Sequence, residues 1–140
     1  VVENMIQDKE FRKLSVKDRQ RIVDRLLSEI RGRMMEEIVL LETKMACPEM
    51  KVFKLQFAVG EFDMVVADPR ALTCKIYEIK YSKENVSDQY RHLKDKKKCE
   101  DTAYRYGDII EKVVIYRGEN TSVDDIEYIN VEDYLKALGT

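Results

Sequence analysis

The chain has 140 residues, 44% of them hydrophobic, which is enough for one sizeable core and too little for two ordinary domains. Charged residues make up 37% and nearly cancel, to a formal net charge of −2; this excludes a global basic field and leaves any polyanion binding to a local patch. Cys47, Cys74 and Cys99 lack the paired spacing of a zinc or redox site, and no apolar run reaches the roughly 20 residues that cross a bilayer, so the sequence predicts a soluble cytoplasmic protein with reduced thiols.

Val1, rather than a methionine, opens the chain on charged, helical sequence, as expected of a piece of a longer polypeptide. Ser15 followed by Asp18 is a capping signal. Beyond it apolar residues recur at helical spacing through Val23, Leu26, Leu27, Ile30, Met34, Ile38, Leu41 and Met45. From Gly32 a second stripe, Glu36, Val39, Leu40 and Thr43, runs on the opposite side, and a helix apolar on two sides is normally sandwiched. Cys47 and Pro48 end the helix. The segment from Val52 to Ala58 then alternates as a strand, and Gly60 permits a hairpin.

Glu61 to Ala67 forms the next predicted strand, with Phe62, Met64 and Val66 on one face and Asp63 and Val65 on the other. Asp68, Pro69 and Arg70 turn the chain into a third strand, Thr73 to Tyr81. Side chains two apart on a strand share a face, so Cys74, Ile76, Glu78 and Lys80 lie together. Val86 to Tyr106 reads as one mostly polar helix carrying the basic run RHLKDKKK. Lys112 to Arg117 reads as a buried strand parallel to its neighbour after a helical crossover. A short strand, Ile126 to Ile129, and a helix, Val131 to Leu138, complete the chain.

The strings GEFDMVV and CKIYEIK resemble the D-(x)n-ExK signature of the PD-(D/E)XK nuclease superfamily, and the order helix, three strands, helix, strand is similar to its restriction-endonuclease-like αβββαβ core. The expected fold class is therefore α/β, with a mixed central sheet flanked by helices. More narrowly, RGRMMEEIVLLE and EKVVIYRGEN resemble the nuclease-like C-terminal domain of bacterial and archaeal AAA-type ATPases. On that resemblance residues 1–30 are an N-terminal helical connection to a covalently linked ATPase domain, and residues 31–140 are the nuclease-like domain.

The resemblance implies a Mg²⁺- or Mn²⁺-dependent enzyme that hydrolyses phosphodiester bonds, with nucleic acid, DNA first, as partner. Mg²⁺ takes one or two carboxylates plus waters and substrate oxygens. The implied ligands are Asp63, Glu78 and the backbone carbonyl of Ile79, with Lys80 beside the attacking water. The superfamily's GxxxE pattern adds Glu36, four residues after Gly32; periodicity leaves Glu36 and Glu37 open, since the choice depends on which helix stripe faces the sheet, and Glu36 is preferred. Phe62 stands where the signature's proline would be, and Gln89 is followed at the relevant spacing by Leu93 rather than tyrosine, which leaves Gln89 outside the site.

A catalytically inactive nuclease-fold module, binding nucleic acid or regulating the ATPase, is the alternative. Arg91 to Lys98 is a candidate phosphate contact, against the simpler reading of a solvated face. His92 has no partner in sequence and reads as a surface residue. Tyr90, Tyr104 and Tyr106 read as packing against the sheet, with base stacking the other reading.

Overall fold

The computed structural model describes residues 9–84 and 87–139. The chain divides into two compact units, residues 1–34 and 35–140. In the first, α1 (Lys9–Lys13) precedes the start of α2 (Val16–Ala46). Ser15 Oγ accepts the Asp18 N–H at 3.1 Å, which satisfies one of the donors that every helix start leaves without a partner.

The second unit contains the end of α2, then β1 (Lys51–Gln56), β2 (Glu61–Asp68), β3 (Thr73–Ile79), two short 3-10 turns (Ser87–Tyr90 and His92–Lys94), α3 (Lys96–Tyr106), β4 (Asp108–Tyr116), β5 (Thr121–Val123), β6 (Ile126–Asn130) and α4 (Val131–Leu138). The strands form one six-stranded sheet in the order β1-β2-β3-β4-β6-β5. The hairpin-linked pairs β1–β2, β2–β3 and β5–β6 are antiparallel, whereas β3–β4 and β4–β6 are parallel. The protein is therefore α/β with a mixed sheet. Parallel neighbours need long crossovers, and the 3-10 turns with α3 supply the one between β3 and β4. Among the described residues no helix is long and apolar enough to cross a membrane.

Both sheet faces are covered. On one, Leu55, Phe62, Val65, Ile76, Val114 and Tyr128 pack with Leu93 from the second 3-10 turn and Cys99 and Tyr106 from α3. On the other, Val52, Met64, Val66, Ile79, Val113 and Ile115 pack with Val39 and Leu40 of α2 and Tyr134 of α4. Phe62, Met64 and Val65 are each fully buried, and burying a side chain of that size contributes about 1.5–3 kcal/mol.

Several sequence expectations need correction. Phe62 does not share a face with Met64 and Val66; it packs with Val65 and Ala67. The cause is a bulge: Phe53 pairs with Val65 and Leu55 with Phe62, so two steps along β1 oppose three along β2, and the alternation loses phase around Asp63 and Met64. The helix expected over Val86 to Tyr106 begins only at Lys96, and Val86 itself lies outside the described residues. Asp95 interrupts it, since its backbone is extended and its carboxylate caps α3 by accepting the Lys98 N–H. β4 starts four residues early at Asp108, because the half-exposed stretch before the apolar run pairs with the start of β3.

The strand β5 was not foreseen. It is held to β6 by a tight turn at Asp124 and Asp125, both at positive φ (50° and 67°), a conformation open to aspartate and one that two-residue hairpins favour. The α2 stripe through Ile38, Leu41 and Met45 is exposed rather than sandwiched, because Val39 and Thr43 are the residues that face the sheet. Tyr104 neither packs nor is sheltered, at 93% exposure, because α3 turns Cys99, Thr102 and Tyr106 inward and leaves Tyr104 on the far side.

Candidate metal centre

The bulge that shifts β2 out of phase also opens the sheet. Pairing of β2 with β3 begins at Met64–Tyr77, while β3 and β4 stay paired through Ile79–Ile115. The Ile79 N–H, on the β2 side, is taken by Asp63 Oδ2 at 2.8 Å, and the next N–H, of Lys80, turns the other way to Ile115 O at 2.9 Å. A carboxylate thus fills the place of a strand carbonyl, and Asp63 is fixed although it is only 4% exposed.

Glu78 from β3 and Lys80 just past it reach the same spot, the strand expected to run to Tyr81 ending at Ile79. Lys80 Nζ lies 3.3 Å from Glu78 Oε2 and 4.0 Å from Asp63 Oδ2. Glu78 is 1% exposed, and its Oε1 has no hydrogen-bond partner. Burial first, then the charge of Asp63 and a hydrogen bond to Asp63 that only the protonated form can make, push Glu78 up to about 9, with Lys80 only partly opposing. Without a further positive charge Glu78 is therefore neutral at pH 7.

On the other side of Asp63, Glu36 from α2 and Glu61 from β2 come close: one carboxylate oxygen from each of Glu36, Glu61 and Asp63 lies within 4.8 Å of the others. Lys54 of β1 ties the outer two together, at 2.5 Å from Glu36 Oε1 and 3.6 Å from Glu61 Oε2. Burial raises the Glu36 pKa despite that bond, and the bond to Glu36 in turn raises Lys54. Glu37 is exposed, whereas Glu36 lies on the stripe with Val39 and Leu40 that covers the sheet.

Of the residues singled out in the sequence, Asp63, Glu78 and Lys80 come together directly, and Glu36 joins through Asp63. Ile79 enters through its backbone N–H, while its side chain packs in the core with Val39. Glu61 and Lys54 were missed. Glu61 was within reach of the period-2 rule, being two residues before Asp63 on the same strand, but Lys54 had no comparable signal.

The donor set suits a hard divalent cation. All the candidate ligands are oxygens, four carboxylates face two ammonium groups, and a buried carboxylate oxygen is left without a donor. The acidic group of Glu36, Glu61 and Asp63 can hold a metal ion. Compared with known proteins, the chain matches no family model, no curated protein and no solved structure.

Proposed function

We propose that residues 35–140 form a PD-(D/E)XK-type domain that hydrolyses phosphodiester bonds, in DNA first, with Mg²⁺ or Mn²⁺ as cofactor, as part of a larger ATPase. The observation that carries this reading is the convergence of Asp63, Glu78 and Lys80 where β2 parts from β3, with a buried Glu78 oxygen lacking any donor. The order of helix, three strands, helix and strand supports it.

Asp63 and Glu78 are the ligands assigned to the cation, with Glu36 and the Ile79 carbonyl completing the set and Glu61 beside them. A cation there supplies Lewis-acid polarisation of the phosphoryl oxygen and a more acidic water. The chain's own groups do the rest. The Ile79 N–H holds Asp63 in one orientation, so no rearrangement of that carboxylate is needed during the reaction. Lys80, 38% exposed at its side chain, reaches from buried carboxylates toward solvent, where a phosphate and a water approach. Its ammonium orients the water and offsets the charge growing on phosphorus oxygens in the transition state.

Incubating the chain with plasmid and single-stranded DNA and Mn²⁺ tests the reading. Cleavage that disappears in Lys80→Ala is expected. Binding of DNA without cleavage by either protein would instead favour the inactive module.

A further inference from the structure

His92, the chain's single histidine, is not a free surface group. Its Nδ1 lies 3.0 Å from Lys98 Nζ. An ammonium has only protons to offer, so Nδ1 accepts and the proton of the neutral imidazole sits on Nε2. The ring edge rests against Gly60: a Cβ there would stand 2.5 Å from Cε1 and 3.0 Å from Nε2. Gly60 is followed in the chain by Glu61, a member of the acidic group.

Lys98 is committed to holding this ring. Its side chain is only 12% exposed, between Asp95 Oδ2 at 3.4 Å and the Phe57 ring, whose centroid is 5.8 Å away. Burial, followed by the charges of Lys98, Arg91 and Lys80, keeps His92 below the ordinary histidine range, against the pull of Asp95. The imidazole is neutral at pH 7, with an N–H to donate, and the charge of Lys80 reaches it.

We propose that His92 binds phosphate: its Nε2–H donates to a non-bridging oxygen of the nucleic-acid strand lying over the Asp63–Glu78–Lys80 pocket, and Lys98 is the positioning residue that fixes the tautomer. The substrate class rests on the phosphodiesterase reading. A pocket of carboxylates repels a polyanion, so the strand needs donors at the rim, and a neutral donor beside Gly60 provides one without competing for the carboxylates.

With one histidine, ¹⁵N imidazole NMR of the full chain reports His92 alone. The probe is a short DNA duplex added in the absence of divalent metal. The free protein is expected to show the Nε2-protonated tautomer, and its Nε2 signal should shift saturably as duplex is added. His92→Ala should weaken binding about tenfold, His92→Gln, which keeps a donor, should recover most of that, and Lys98→Gln should mix the tautomers. An Nδ1-protonated ring, no shift at saturation or with no binding at all, or parental affinity in His92→Ala overturns the proposal. Mn²⁺-dependent cleavage of the same duplex, scored in parallel, judges the phosphodiesterase reading separately: cleavage with a silent His92 overturns the His92 assignment alone, and a His92 response without cleavage overturns catalysis alone.

Discussion

Tyr77 and Glu78 are neighbours on β3 and both are buried, yet they meet different surroundings. The Tyr77 ring packs edge-on against Tyr134 with centroids 6.1 Å apart, the Tyr134 hydroxyl lies 2.8 Å from Thr43 Oγ1, and Thr43 donates to the Val39 carbonyl at 2.7 Å. That chain of hydroxyls ends on a backbone acceptor and joins α4 to α2. On the opposite face Glu78 is buried among carboxylates, and one of its oxygens meets no donor. A buried polar group left unsatisfied costs about 1–3 kcal/mol. The difference separates a hydroxyl network that ties α4 to α2 from an acidic cluster in which a buried oxygen is left unpaired.

The largest effect expected from this contrast is on the proposed cleavage. Lys80→Ala removes the ammonium that, among the described residues, approaches both Asp63 and Glu78. It should lower the single-turnover rate of Mn²⁺-dependent cleavage on the order of 10²–10³-fold, as loss of one transition-state donor does, while the melting temperature stays within a few degrees of the parent. A collapse in stability instead would make Lys80 a structural counter-ion.

Next in size is a pH dependence. The folded-state pKa of Glu78 is raised, to about 9, so the native state holds a proton that the unfolded chain releases. The stability this gives is fully present below the ordinary carboxylate range and is lost as pH rises through about 9. The melting temperature of the metal-free protein should fall from about pH 5 to about pH 9, and Glu78→Gln should flatten the decline. An unchanged slope in Glu78→Gln would show that Glu78 is not the group that titrates.

The smallest effect belongs to the hydroxyl network. Tyr134→Phe leaves the buried Thr43 hydroxyl without its Tyr134 partner and should cost about 1–2 kcal/mol in denaturant unfolding with cleavage unaffected. If cleavage falls as much as stability, the two faces are coupled and the contrast between them is wrong.

The two faces also differ in how far the sequence revealed them. Glu78 and Lys80 could be placed together because side chains two apart share a side of a strand, and β4 stood out through the apolar run Val113 to Tyr116. Asp63 arrives at the site by a bulge, which alternation cannot register, because the pattern of residue types contains no mark of an extra residue opposite Phe53 to Leu55. Glu36 could be separated from Glu37 only once Val39 and Thr43 were seen to be the buried side of α2. The Lys54 bridge, the interruption of the second helix at Asp95 and the seating of His92 on Gly60 depend on contacts distant in sequence or on local capping that competes with helix propensity.

If Asp63 and Glu78 hold a hard cation, calorimetric titration of metal-free protein with Mn²⁺ at pH 7 in buffers of different ionisation heat will register it. One saturable site is expected, lost in Asp63→Ala, with about one proton released as Glu78 ionises. Absence of binding, or binding that persists in Asp63→Ala, would contradict it.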